Sequence, residues 1–157
     1  MRIFIISDSH GSIGRAMEAY ESVRDIDLIV HLGDYARDAD AMSKRLGRPV
    51  FSVKGNGDGD RSENGCRILE TEFGKLFVAH GHMEGVKTGL QKLIYKAESM
   101  GCAGALFGHT HRPVFMELNG FYLLNPGSIT YPGPDGKVSF AVATVGPGSF
   151  QASIIYK

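Results

Sequence analysis

Short apolar runs punctuate the chain, and each stops abruptly at polar or glycine-rich residues. Ile3-Phe4-Ile5-Ile6 meets Ser7-Asp8-Ser9-His10, Leu28-Ile29-Val30 meets His31-Leu32-Gly33-Asp34, and Val50-Phe51-Ser52-Val53 leads to Gly55-Asn56-Gly57-Asp58. Leu76-Phe77-Val78-Ala79 stops at His80-Gly81-His82, and Ala103-Gly104-Ala105-Leu106-Phe107 stops at Gly108-His109-Thr110-His111. Runs of this length read as strands buried on both faces. Open α/β sheets bind ligands just beyond the carboxyl ends of their strands, so the pattern predicts five strand ends converging on one rim.

Between these runs the apolar period changes from strand to helix. Ile13, Ala16, Met17, Tyr20 and Val23 fall on one helical face; Ala39, Met42 and Leu46 mark a second helix that ends near Gly47-Arg48-Pro49. The first third therefore reads β-α-β-α-β, the pattern of a parallel sheet with right-handed crossovers. Ile68 to Phe73, Gly74-Lys75 and Leu76 to Ala79 read as a hairpin, and Val86 to Met100 as a third helix. Val114 to Leu118 and Phe121 to Leu124 flank Asn119-Gly120, a pair suited to the two positive φ angles of a type I′ turn. Asn125-Pro126-Gly127-Ser128 makes another polar strand-end loop, and a last hairpin spans Val138 to Tyr156 around Gly146-Pro147-Gly148-Ser149.

The 157 residues suit one domain, spanning 1–157, that buries roughly two thirds of its unfolded surface. Seventeen basic residues balance seventeen acidic ones, which argues against a nucleic-acid or membrane role driven by a large positive field. Cys66 and Cys102 lack paired spacing, so neither a disulfide framework nor a zinc ribbon is expected. No apolar stretch reads as a signal peptide or a membrane span, and the expectation is a cytoplasmic protein.

The chemistry lies where the runs end. Asp8, His10, Asp34, Asn56, His80, His109 and His111 bring two carboxylates, one amide and four imidazoles. That set exceeds the needs of one tetrahedral ion and suits two ions sharing a carboxylate, with Asp34 as the natural bridge. Oxygen and nitrogen donors without thiolate favour manganese, iron, nickel or zinc. Two such ions, roughly 3.5 Å apart, lower the pKa of a shared water so that hydroxide attacks phosphorus in line.

The ordered series Asp-x-His, Gly-Asp, Gly-Asn-x-Asp, His-Gly-His and Gly-His-x-His, from Asp8 to Ser128, resembles the calcineurin-like metallophosphoesterases. The short length and the Asn-Pro-Gly-Ser loop resemble its compact branch of bacterial and archaeal phosphodiesterases, related to the retromer subunit Vps29. The resemblance implies a four-layer α-β-β-α sandwich of two mixed β-sheets flanked by helices. It also implies two divalent metal ions, manganese first: Asp8, His10, Asp34 and His111 hold one, and Asp34, Asn56, His80 and His109 the other. Asn56 and His80 carry catalytic as well as ligand roles on this reading.

The implied activity is hydrolysis of a small-molecule phosphodiester, with a homo-oligomer left open. Phosphomonoester or phosphoprotein hydrolysis is the alternative enzyme class, and a non-catalytic Vps29-like scaffold the alternative outside enzymes. Competent side chains at all seven ligand positions weigh against the scaffold. Many family members place a histidine directly after the metal-binding asparagine, where this chain has Gly57. Loss of such an acid costs about 10²–10⁴ in rate for poor leaving groups, which fits diester rather than general monoester hydrolysis.

Other polar residues have plainer readings. His80 and His82 compete for one ligand position; His80 lies nearer the strand end, leaving His82 to face the substrate or to back the ligands. His31 reads as a satisfied core or supporting histidine, and Asp58 as a carboxylate that fixes its loop. The polar segment 59–66 is expected to be a loop that helps bind substrate. Lys54, Arg61 and Arg112 flank the motifs, where contact with a substrate phosphate is one reading and surface charge the default; Cys66 reads as a loop thiol and Cys102 as a buried small residue. Tyr131-Pro132-Gly133-Pro134 reads as a rigid loop near the site, with no assignable chemistry.

Overall fold

A computed structural model describes residues 1–59 and 65–157. The central part of the expected substrate loop, including Arg61, lies outside the described residues.

Strand β1 (Arg2–Ile6) shows how one apolar run serves two packing layers. Ile3 and Ile5 join one hydrophobic cluster, while Phe4 and Ile6 join another on the opposite face. Strict alternation of side chains makes this possible, and burial of both faces is why the run contains no polar residue. Parallel to β1 lies β2 (Leu28–His31), which pairs with β3 (Val50–Ser52). Helices α1 (Ile13–Glu21) and α2 (Ala36–Leu46) connect them, and Gly47 ends α2 in a left-handed conformation.

The chain then builds a second sheet from β4 (Cys66–Glu70), β5 (Lys75–Ala79), β6 (Gly104–Leu106), β7 (Val114–Leu118) and β8 (Phe121–Asn125). Its order is β4-β5-β6-β8-β7, with α3 (Gln91–Ser99) between β5 and β6. The final hairpin, β9 (Ser139–Gly146) and β10 (Ser149–Tyr156), returns to the first sheet and completes the order β10-β9-β1-β2-β3. Each sheet mixes parallel and antiparallel pairs.

Three apolar clusters define the layers. Ile3, Ile5, Val30, Leu76, Val78, Leu106 and Leu124 pack between the sheets. Ala16, Met17 and Met42 cover the outer face of the first sheet, and Leu93 and Ala97 that of the second. The four-layer α-β-β-α arrangement implied by the family resemblance is therefore the observed one. Among the described residues, no helix is long and apolar enough to cross a membrane.

Several local expectations shift. The third helix begins at Gln91 rather than Val86, because Gly81 and Gly85 take left-handed conformations within turns that precede it. Val86 is nonetheless buried, packed against the outer face of the second sheet. The first hairpin turns at Thr71–Gly74, where the two end residues exchange backbone hydrogen bonds of 3.2 and 3.1 Å. Phe73 sits in that turn and packs edge-on against Tyr122 and Phe150, so its apolar character reflects contact between sheets. Cys66 begins β4 instead of lying in a loop. Asn119 and Gly120 have the two positive φ angles that their hairpin requires, 51° and 83°.

Leu76 is fully buried between the sheets. Leu76→Ala is expected to lower unfolding free energy by about 2–5 kcal/mol in urea denaturation. Parental stability in that variant would mean that the inter-sheet core does not depend on this contact.

Candidate metal centre

The runs that were expected to share one rim end in two different sheets: β1, β2 and β3 in the first, β5 and β6 in the second. Their loops meet across the sandwich. The His109 amide donates to Asp8 Oδ2 at 3.3 Å, and His80 Nδ1 donates to the Leu32 carbonyl at 2.7 Å. Such approach demands residues without side chains. A Cβ on Gly55 would lie 2.2 Å from Asp34 Oδ1, and one on Gly108 would lie 2.0 Å from Ser7 Oγ.

Two donor clusters result, Asp8-His10-His111 and Asp8-Asp34-His80, each with donor atoms within 4.8 Å of one another. Asp8 is common to both. Its Oδ1 lies 3.1 Å from His111 Nε2 and 3.9 Å from His80 Nε2, while Oδ2 accepts from the Ser7 hydroxyl and the His109 amide. Asp34 reaches both neighbourhoods, with Oδ1 3.4 Å from His80 Nε2 and Oδ2 3.8 Å from His10 Nε2. His109 joins through Nδ1, 3.2 Å from His80 Nε2.

Asn56 stands exposed at the head of the 3₁₀ turn Asn56–Asp58 and makes no side-chain hydrogen bond among the described residues. Its neighbours touch the cluster, since the Gly57 amide donates to Asp34 Oδ1 at 2.9 Å. The His82 ring lies 5.5 Å from that of His80 and 6.1 Å from that of His109, beside the two clusters but in neither. Arg112 is exposed.

The polar arrangement fits cations. His80 Nδ1 donates to the Leu32 carbonyl at 2.7 Å, which turns Nε2 toward the carboxylate oxygens and the His109 ring. His10 Nε2 is buried without a hydrogen-bond partner among the described residues. Crowded acceptors of this kind repel one another until a positive ion lies among them.

Electrostatics bias the donors the same way. Burial pushes the Asp8 carboxyl up, but the His111 hydrogen bond, the His80 charge and the Ser7 hydroxyl outweigh it and hold the group below its ordinary range. Burial, reinforced by the neighbouring His80, brings His109 down to about 4, so its ring is neutral at pH 7. The hydrogen bond to Asp8 raises His111 despite partial burial.

Backbone strain concentrates here. Asp8, His10, Asp34, His109 and His111 all have positive φ, from 45° to 67°. Left-handed geometry is uncommon for residues with a Cβ and persists where the surroundings over-determine it.

Those surroundings come from residues with no metal-ligand role. His31 is fully buried; its Nδ1 accepts from the Gly33 amide, so Nε2–H faces Ser9 Oγ at 2.8 Å, and Ser9 donates onward to Asp38 at 2.6 Å. Asp58 accepts from the Ala36 amide with one oxygen and the Gly55 amide with the other. Both residues match the supporting roles expected of them.

Three further residues support the site, all from loops that the sequence pattern marks without assigning them chemistry. Asn125 donates to the Gly108 carbonyl and to Thr110, both at 3.0 Å, and Ser128 donates to the Asp8 carbonyl at 3.0 Å. The loop Asn125–Ser128 thus clamps two ligand-bearing loops at once. Tyr131 lies 4.8 Å edge-on to the His10 ring and stacks at 6.0 Å on His111.

The calcineurin-like phosphoesterase superfamily domain matches residues 1–148. The chain belongs to that family. A probable metallophosphoesterase of Bacillus subtilis, YsnB, is 35% identical over 153 residues, covering 92% of this chain and 85% of the relative. The phosphodiesterase MJ0936 of Methanocaldococcus jannaschii is 27% identical over 153 residues, covering 81% and 83%. Among solved structures, a predicted phosphoesterase of Streptococcus pneumoniae superposes with a TM-score of 0.84 at 28% identity, covering 99% of this chain and 88% of the other. Calcineurin-like phosphoesterases use divalent metals, and the two donor clusters offer candidate ligands for them.

Burial lowers His31 from 6.5 to about 4 in the folded protein. The unfolded chain therefore binds the extra proton between those values, so this contribution is intact above pH 6.5 and is lost as pH falls toward 4. Urea titrations of metal-free protein should show stability falling across that window, and His31→Asn should make the slope shallower. An unchanged slope would mean that His31 does not carry it. Asn125→Ala, which frees the Gly108 loop, should weaken metal affinity about 10–100-fold in calorimetric titrations with manganese. Parental affinity would assign that loop's order to other contacts.

Proposed function

We propose that the protein is a phosphodiesterase that hydrolyses a small-molecule diester at a dinuclear metal centre, manganese being the first candidate. The observation that carries this reading is the convergence of His80 Nε2 with the buried Asp8 and Asp34 carboxylates, a constellation suited to cations. Asp8, His10, Asp34 and His111 would hold one ion, and Asp34, Asn56, His80 and His109 the other. Bound there, the ions would supply an activated water and offset charge on the phosphoryl oxygens.

The residues of the chain provide the rest. Asp8, held ionised by its neighbours, and Asp34 contribute the negative charge that attracts the cations. Neutral His109 keeps one ring-nitrogen lone pair available to a metal. Leu32 fixes the His80 ring through Nδ1, which selects Nε2 as the donor and orients it. Asn56, exposed in the turn after β3, and His80 would carry catalytic as well as ligand roles, and His82, beside the clusters, would face the substrate.

A diester rather than a monoester is supported by Gly57, which offers no imidazole to protonate a poor leaving group, and by the relative named as a phosphodiesterase. Retention of all seven donor positions favours catalysis over a scaffold. We place the activity in the cytoplasm, in a single domain spanning the chain.

Chelation should abolish turnover of bis-p-nitrophenyl phosphate, and manganese should restore it, with the diester preferred over p-nitrophenyl phosphate. Asp34→Ala is expected to lower restored turnover by at least about 10²-fold. Metal-independent turnover, or none with any divalent ion, would overturn the reading.

A further inference from the structure

Next to the donor clusters lies a cleft of about 380 Å³ lined by Tyr35, Ala36, Arg37, Lys54, Gly57 and Asp58. That volume is within the range of small-molecule sites. The cleft shares two walls with the candidate metal centre. Its Gly57 amide donates to Asp34, and its Tyr35 ring lies 5.3 Å from the His10 ring.

Three features suggest what the cleft accepts. Arg37 is exposed, and its guanidinium lies 4.5 Å over the Tyr35 ring without an ion pair among the described residues. Lys54 brings a second positive charge to the lining. Asp58, the one acid among the described lining residues, already accepts one backbone amide on each oxygen. The described lining therefore favours an anion, and its arginine brings a planar fork of donors suited to phosphate oxygens.

The backbone ties the cleft to the donor clusters. Tyr35 follows left-handed Asp34 and is itself left-handed, with φ of 74°, a genuine outlier for a bulky residue. That turn carries the chain from the candidate ligand directly to the cleft wall. At the junction, a Cβ on Gly57 would lie 3.2 Å from Asp34 Oδ1, so any side chain there would crowd the passage between cleft and cluster.

We propose that this cleft receives one ester arm of the substrate and selects diesters whose arm carries a second anionic group, such as a phosphate, held by Arg37 and Lys54. The inference rests on the reading of the neighbouring centre as hydrolytic. It names a substrate class: phosphodiesters with an additional charge several bonds from the scissile phosphorus.

A matched substrate pair isolates that charge: thymidine 5′-(p-nitrophenyl phosphate) with and without a 3′-phosphate, assayed on the manganese-loaded full chain. The scissile bond and leaving group are identical. The 3′-phosphate should raise kcat/KM about tenfold, mainly through KM, and Arg37→Ala or Lys54→Ala should bring the ratio close to one. Arg37→Lys should keep part of the preference, with an unchanged melting midpoint confirming the fold of each variant.

Metal-dependent turnover of both substrates at equal kcat/KM would overturn the subsite and leave the phosphodiesterase reading standing. If neither substrate is hydrolysed, the phosphodiesterase reading falls, and calorimetry decides the cleft by itself. The parent should then bind thymidine 3′,5′-bisphosphate about tenfold more tightly than thymidine 5′-monophosphate, and Arg37→Ala should not. Equal affinities in the parent would overturn the proposal.

Discussion

Two carboxylates, Asp8 and Asp34, are buried within reach of the same histidine at the seam between two sheets. An isolated buried carboxylate costs several kcal/mol even after relaxation, so this pair is tolerable only where hydrogen bonds and positive charge surround it. Ser7, the His109 amide and His111 supply that environment for Asp8, and the Gly57 amide does so for Asp34. Much of the surrounding loop structure serves this requirement. Glycines stand where a side chain would push the donors apart, and the loop Asn125–Ser128 holds two ligand segments from behind.

The sandwich makes such a concentration of polar groups affordable. Outside the site, both faces of the inner strands are apolar, and three separate clusters bury them. The stability of those layers allows strain to be localised at the rim. Five candidate ligands adopt left-handed backbone there, a conformation that loops of a weaker scaffold would relax. Ligand directions are thus set by backbone geometry before any ion binds, which lowers the ordering cost of binding.

Support for the ligands is distributed through relays. Asp38 holds Ser9, Ser9 meets His31, and His31 accepts from Gly33 just before Asp34. This chain ties the loops after β1 and β2 to the start of α2. Asp58 joins the same helix to the loop after β3. The first three strand ends are therefore coupled by buried hydrogen bonds, while His80 and His109 reach them from the opposite sheet through side-chain and backbone contacts.

Much of this architecture was legible from residue order. Apolar runs ending in Asp, His and Asn announced strands and their donors, helical spacing announced α1 and α2, and Asn119-Gly120 announced a hairpin, because local propensity and burial govern all three. The sequence by itself determined the donor chemistry and the order in which donors arrive. Only tertiary structure decided that the strand ends belong to two sheets, that Asp8 belongs to both donor clusters, that Tyr35 borders the site, and how Asn125 and Ser128 hold its loops. These depend on pairings between segments tens of residues apart, and no local period encodes which loops then meet.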